Sequence, residues 1–247
     1  MPDSAPNSGS LSWDHDPQAQ LDEIELLLEA VFTRRDALHG EISECDHDLE
    51  RYPVGSIEHH LAHDGGNSLR WRACYREAAC SHAAVGALAP FIEGLLVRFF
   101  ICLRKRDESA QDRAVHHRGK LASDAFWDPH KASEKGKLCP KDDLMRGTRQ
   151  LVEALALSES LPHATLSTID AMLVYRNRAL HCGYEWPIED RRKFVDTVHE
   201  KGWGEWFTWE SIDGDPWIIS MQDRFIRENC LAAARKLLAE YQRRIRY

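Results

Sequence analysis

The segment with the clearest chemical potential is the short run from Arg176 to His181. A histidine side chain has an ordinary pKa of about 6.5 and can take or give a proton at neutral pH, as a general acid or base must. An arginine is a permanent planar cation that can hold phosphate oxygens as charge builds on them, and an amide can orient either partner. Arg176, Asn177 and His181 therefore suit proton transfer at a phosphate group.

A helix must position these residues, and apolar spacing predicts one over residues 166–181, with Thr165 or Ser167 as N-cap and an end at Gly183. One face of this helix carries Ile169, Leu173, Arg176 and Leu180, and the adjacent stripe carries Asp170, Val174, Asn177 and His181. Because arginine keeps its charge when buried, Arg176 should meet a carboxylate, carbonyl groups or a phosphate. Arg176 and His181 lie about 140° apart on the helix. Their functional groups can meet only if the arginine side chain reaches around the helix, if the helix ends at His181, or if a second subunit supplies one of the two.

The pattern Arg176-Asn177-x-x-x-His181 on a helix resembles the signature of HEPN domains, in which an arginine and a polar residue precede a histidine. Similar Arg-to-His spacings occur at Arg34/His39, Arg76/His82 and Arg192/His199, but only Arg176 is followed by asparagine. The string from Tyr175 to Tyr184 also resembles the helix of HEPN toxins. Tyr184 follows the histidine by three residues, however, where the toxin pattern has two.

This resemblance implies an endoribonuclease that needs neither metal nor cofactor. The RNA 2′-hydroxyl attacks the neighbouring phosphorus and leaves a 2′,3′-cyclic phosphate, with Arg176, Asn177 and His181 as catalytic residues. In the family, two copies of the motif meet across a homodimer, which supplies a second histidine. DNA lacks the 2′-hydroxyl and should resist cleavage. The resemblance further implies a toxin or anti-phage defence role, with an antitoxin or regulatory protein as an additional partner.

Four further residues are expected to bind substrate, namely Arg178, Tyr184, Arg191 and Arg192. The basic run at 191–193 would steer RNA towards the motif, although a solvated helix face is the alternative interpretation. A cluster of Trp203, Trp206, Phe207, Trp209 and Trp217 could stack bases, or simply pack a hairpin against helices.

Other functions are compatible with parts of the same sequence. The same trio could merely cap a helix end, and a catalytically inactive HEPN-like module could bind RNA, nucleotide or a partner protein. His59, His63 and Asp64 have a spacing that zinc accepts, but no cysteine partner or H-E-x-x-H pattern accompanies them, so we expect no metal site. A DNA-binding regulator is disfavoured, since no recognition helix is apparent and the net charge is -8.

Composition indicates a globular cytoplasmic protein. The chain has 247 residues, of which 43% are hydrophobic and 29% charged. The seven cysteines are scattered, which favours a reducing compartment. The most apolar stretch, residues 83–103, is interrupted by Pro90, Glu93 and Arg98, so we expect a buried helix and no membrane span.

The predicted fold class is mainly α: a HEPN-like antiparallel helical bundle with a long N-terminal helix and a small β-hairpin near the C-terminus. A flexible tail spans 1–17, and a single domain spans 18–247 with an insertion at about 105–141. Breaks are expected at 52–55, at 63–67 and at Pro90, where two helices should abut, and Gly40 is a potential interruption. Further helices are expected at 142–157, 188–200 and 222–244, with the hairpin between the last two.

Overall fold

The computed structural model describes residues 16–106 and 144–245. Two long helices, α1 (Pro17–Arg51) and α2 (Ile57–Arg106), form an antiparallel pair at the N-terminal side. Asp16 caps α1, because its side chain accepts hydrogen bonds from the backbone N–H groups of Gln18 (2.9 Å) and Ala19 (3.3 Å). The predicted break after α1 is confirmed, whereas Gly40 does not interrupt the helix.

Helix α2 contradicts two predicted breaks. It continues through 63–67 and through Pro90, so the prediction of two abutting helices is wrong. Tertiary packing explains this. A Cβ on Gly66 would lie 3.8 Å from the Cys45 side chain, which shows how closely α1 passes, and Arg70 on the following turn pairs with Asp46 of α1. Around Pro90, the neighbouring Ala89 and Ile92 are fully buried, and this burial offsets the lost backbone hydrogen bond.

Three shorter helices follow: α3 (Leu144–Ala154), α4 (His163–Cys182) and α5 (Ile188–Glu200). Helix α4 begins earlier than predicted, and Pro162 at its N-cap makes no side-chain hydrogen bond, so the prediction of Thr165 or Ser167 as N-cap is wrong. Ser167 instead accepts a hydrogen bond from the indole of Trp203 at 3.1 Å. The predicted end of α4 is confirmed, because Gly183 adopts a φ of 69° that disfavours other residues.

The predicted hairpin is confirmed as β1 (Phe207–Ile212) paired antiparallel with β2 (Asp215–Met221). The turn residues Asp213 and Gly214 both have positive φ, at 53° and 85°, which is the geometry of a tight two-residue turn. The chain then continues through α6 (Asp223–Phe225), a single π turn (Ile226–Cys230) and α7 (Leu231–Ile245).

The core lies where α2, α4, α5 and the hairpin meet, and Tyr175 is at its centre. Its ring packs against those of Trp186, Phe194 and Phe207, with centroid distances of 5.6, 5.9 and 5.5 Å. Its hydroxyl donates a hydrogen bond to the backbone carbonyl of Ile219 at 2.9 Å. Tyr175 therefore fixes α4 to α5 and the hairpin, immediately before Arg176.

The architecture is mainly helical with a small antiparallel hairpin near the C-terminus. Most of the predicted tail at 1–17 and insertion at 105–141 lies outside the described residues. By length and composition α2 could cross a membrane, but half of its most apolar stretch is buried against other parts of the protein. Core helices of folded domains pass the same test, so this helix is weak support for a membrane span.

Candidate functional site

Arg176 lies near the end of α4, where a carboxylate of α2 and the adjacent amide hold it. Its Nη1 donates to Glu93 Oε2 at 2.7 Å, and its Nε and Nη2 donate to Asn177 Oδ1 at 3.2 and 2.9 Å. Only 18% of the Arg176 side chain is exposed. Of the partners predicted for Arg176, namely a carboxylate, carbonyl groups or a phosphate, the structure shows the carboxylate. The guanidinium is thus fixed in one orientation against α2.

Sequence reasoning missed Glu93 as a member of this site. The signal was present, since Glu93 is an acidic residue inside the most apolar stretch of the chain. A carboxylate in such a stretch needs a cation or hydrogen-bond donors, because burying an unpaired charge is costly. Glu93 and Arg176 satisfy each other between α2 and α4.

His181 differs from Arg176 in its surroundings. It lies in the last turn of α4 and is exposed, and within residues 16–106 and 144–245 it forms no hydrogen bond or ion pair. Asn177 lies one turn before it, but its side-chain oxygen accepts from Arg176. Asn177 therefore orients the arginine in this structure and not the histidine.

Apolar side chains surround the end of α4. Leu180 is 68% exposed, and Tyr184 and Ile188, on the chain that follows, are 41% and 40% exposed. Exposed apolar side chains grouped on one short segment are typical of a surface that contacts another molecule. His181 lies within this group in the sequence.

The three arginines predicted to bind substrate are held by protein groups. Arg178 pairs with Asp190 at 2.8 Å and so joins α4 to α5. Arg192 contacts both carboxylate oxygens of Asp215 at 2.8 and 3.0 Å, and Arg191 donates to the backbone carbonyl of Trp217 at 3.1 Å. Both of these residues tie α5 to the hairpin. Their charges are in part neutralised or directed inward.

Tyr184, the fourth predicted substrate-binding residue, packs over His82 of α2, with ring centroids 4.8 Å apart. The centroid of the His82 ring also lies 6.0 Å from that of Tyr175, in an edge-to-face arrangement. Burial lowers the pKa of His82, which favours the neutral imidazole. These ring contacts support the segment that follows His181.

Most of the predicted aromatic cluster is packing. Trp203 and Phe207 are buried, and the Trp206 ring stacks on Phe225 at 4.5 Å. Trp217 is separate and faces α2. His63 and Asp64 are exposed neighbours, and the described part of the chain contains no group of three His, Cys, Asp or Glu side chains arranged to hold a metal ion.

No protein-family model, no curated protein and no solved structure matches the chain. The geometry of the site is therefore the main guide to its chemistry. It combines a fixed guanidinium with an exposed imidazole at the end of one helix.

Proposed function

We propose that the protein is a metal-independent endoribonuclease of the HEPN type, with Arg176, Asn177 and His181 as its catalytic residues. The observation that carries this proposal is the contrast within one helix end: Arg176 is locked by Glu93, while His181 is exposed. Pre-oriented cations stabilise charge that develops in a transition state, and proton transfer needs an accessible group.

In the proposed reaction, the RNA 2′-oxygen forms a bond to the adjacent phosphorus while the bond from phosphorus to the 5′-oxygen breaks. One His181 takes the proton of the 2′-hydroxyl, and a second His181 gives a proton to the departing 5′-oxygen. Arg176 holds the non-bridging oxygens as negative charge builds on them. Arg176 donates three hydrogen bonds to Glu93 and Asn177. Because a guanidinium has five N–H donors, further donors remain for a phosphate.

The second His181 would come from a second copy of the chain. Leu180 and Ile188 supply exposed apolar area close to His181 in the chain, which suits a two-fold contact that brings two motifs together. We expect light scattering to give the mass of a dimer. A Leu180→Glu variant should be monomeric and should have lost cleavage activity together with dimerisation, whereas the equally exposed but distant Leu61→Glu should remain dimeric.

A catalytically inactive HEPN-like module is the second candidate. The pairing of Arg176 with Glu93 is also what this candidate requires, because the ion pair joins α2 to α4 whether or not a substrate is bound. In that case RNA, a nucleotide or a partner protein would bind without being cut.

The test uses a synthetic end-labelled RNA and the same sequence as DNA, each incubated with purified protein in EDTA. We expect the RNA to be cleaved with 2′,3′-cyclic phosphate ends and the DNA to remain intact. Cleavage that EDTA abolishes, or products with a 5′-phosphate, would contradict the mechanism. RNA that binds and is not cut would favour the inactive module.

The cellular setting follows from the same proposal. A ribonuclease of this kind would act in the cytoplasm as a toxin or anti-phage effector, held in check by an antitoxin or another regulatory protein. Co-expression with proteins encoded next to it tests this directly, since a cognate inhibitor should relieve growth arrest and block cleavage in vitro.

A further inference from the structure

A row of half-exposed aromatic rings lies between α2 and the hairpin. Trp71 and Tyr75, one turn apart on α2, both contact the ring of Trp217, with centroid distances of 4.9 and 5.5 Å. Trp71 is 53% exposed, which is unusual for the largest apolar side chain. These rings are anchored on one side and open to solvent on the other.

The row continues towards the proposed catalytic residues. The Tyr75 hydroxyl donates a hydrogen bond to Glu185, which follows Tyr184 in the chain. Tyr184 lies three residues after His181. The rings of Trp71, Tyr75 and Tyr184 thus form a path along the surface that ends beside the motif, and we call it the aromatic path.

Cations accompany the aromatic path. Arg72 and Arg76 follow Trp71 and Tyr75 directly on α2 and form the adjacent stripe of the helix. Within residues 16–106 and 144–245 neither forms an ion pair or hydrogen bond, in contrast to Arg178 and Arg192. Their charges therefore remain available to an anion.

The hairpin side of the aromatic path is held in place. The backbone carbonyl of Trp217 accepts a hydrogen bond from Arg191, and Asp215 is bound twice by Arg192. The Trp217 backbone is thereby fixed, and its ring supports those of Trp71 and Tyr75, which lose little conformational freedom when a flat ligand stacks on them.

We propose that the aromatic path binds single-stranded RNA, with bases stacked on Trp71, Tyr75 and Tyr184 and phosphates bound by Arg72 and Arg76. The combination of exposed rings with unpaired guanidinium groups matches a ligand with flat apolar bases and a repeating negative charge. A duplex is disfavoured because its bases already stack on each other. The inference rests on the proposed function for its choice of RNA, and it gives the strand a direction towards His181.

The test measures binding of a fluorescent 2′-O-methyl RNA of about 12 nucleotides, which cannot be cleaved by 2′-hydroxyl attack. We expect Trp71→Ala to weaken binding about 5- to 100-fold, and Trp71→Phe to restore most of it. Tyr52→Ala is the matched control, since Tyr52 is an exposed aromatic residue that lies off the aromatic path. It should bind like the wild-type protein.

A second arm tests the cations. Replacing Arg72 and Arg76 by glutamine should weaken binding and lower the slope of log affinity against log salt by about 1.4, since each lost phosphate contact contributes about 0.7 on a single strand. An abasic strand of the same length, which keeps the phosphates and loses the bases, should bind to the wild type at least as weakly as the intact strand binds to Trp71→Ala, because it loses the stacking on all three rings.

Binding that is equal for wild type and Trp71→Ala, or no binding at all, would overturn the proposal. This outcome is separable from failure of the ribonuclease. Trp71-dependent binding without cleavage of ordinary RNA would leave the aromatic path standing and reject the catalytic role of His181. Cleavage of ordinary RNA that Trp71→Ala leaves unchanged would reject the aromatic path and leave the catalytic role of His181 standing.

Discussion

The middle of helix α4 and its last turn differ in how completely their polar groups are satisfied. In the middle, the buried carboxylate of Asp170 pairs with Arg149 at 2.7 Å and with Lys201 at 3.0 Å. Tyr175 is fully buried and donates to Ile219. In the last turn, Leu180 and His181 are exposed, and His181 has no polar partner among the residues described.

The difference shows that one helix can serve stability and chemistry in separate segments. The buried segment fixes the helix to α5 and the hairpin, so the position of the last turn is set without using any group in that turn. Arg176 lies at the boundary, since it is held by Glu93 and remains 18% exposed. Substitutions on the two sides of this boundary should therefore have different consequences.

The largest effect on stability is expected for Tyr175→Ala. Removing the central buried ring leaves a cavity and should lower the free energy of unfolding by about 3–5 kcal/mol. Leu180→Ala, on the same helix, should change it by less than about 0.5 kcal/mol at protein concentrations low enough for light scattering to give a monomer, where the proposed dimer contact contributes nothing. Urea denaturation followed by circular dichroism measures both. Similar values for the two variants would mean that the buried middle of α4 and its last turn are not distinct.

A smaller effect is expected for Asp170→Asn. The amide keeps the shape but removes the charge that Arg149 and Lys201 share, and we expect a loss of about 1–3 kcal/mol. The control is Asp190→Asn, which removes the single, more exposed pair with Arg178 and should cost about 0–1 kcal/mol. Equal losses in the same denaturation assay would argue against the structural importance of the Asp170 cluster.

The smallest effect concerns pH and His82. Burial lowers the pKa of His82 in the folded protein, so below about pH 6.5 the unfolded chain binds a proton more readily than the folded one. The stability that the neutral His82 contributes is fully present above about pH 6.5, and it declines as the pH falls from there towards the pKa of His82 in the folded protein. His82→Gln should flatten this decline below about pH 6.5. The exposed His60→Gln on the same helix is the control for loss of a histidine. A decline that His82→Gln leaves unchanged would contradict this assignment.

Local signals predicted much of the fold. The end of α4 at Gly183, the Asp213-Gly214 turn and the break before Pro53 all depend on backbone preferences of the residues themselves, and all three are observed. The errors arise where distant packing outweighs local preference. Helix α2 passes through Gly65-Gly66 and Pro90 because α1 and the core hold it, and no short window of sequence contains that information.

The candidate site was predicted only in part, again because packing between distant segments decides which groups meet. The helix position of Arg176 followed from the spacing, and its need for a carboxylate, carbonyl groups or a phosphate followed from its permanent charge on an apolar stripe. The choice of Glu93 required knowing that α2 passes beside α4. The predicted roles of Arg178, Arg191 and Arg192 did not anticipate their ties to α5 and the hairpin. Trp71 and Tyr75 were missed because only the fold brings the hairpin against them.

The most direct test of the central claim compares wild type and His181→Ala for cleavage of one labelled RNA in EDTA, with the unfolding midpoint of each measured on the same samples. Because His181 is exposed, we expect unchanged stability and a loss of cleavage of about 100- to 10,000-fold. Cleavage by His181→Ala at the wild-type rate, or an intact RNA after incubation with the wild-type protein, would contradict the claim.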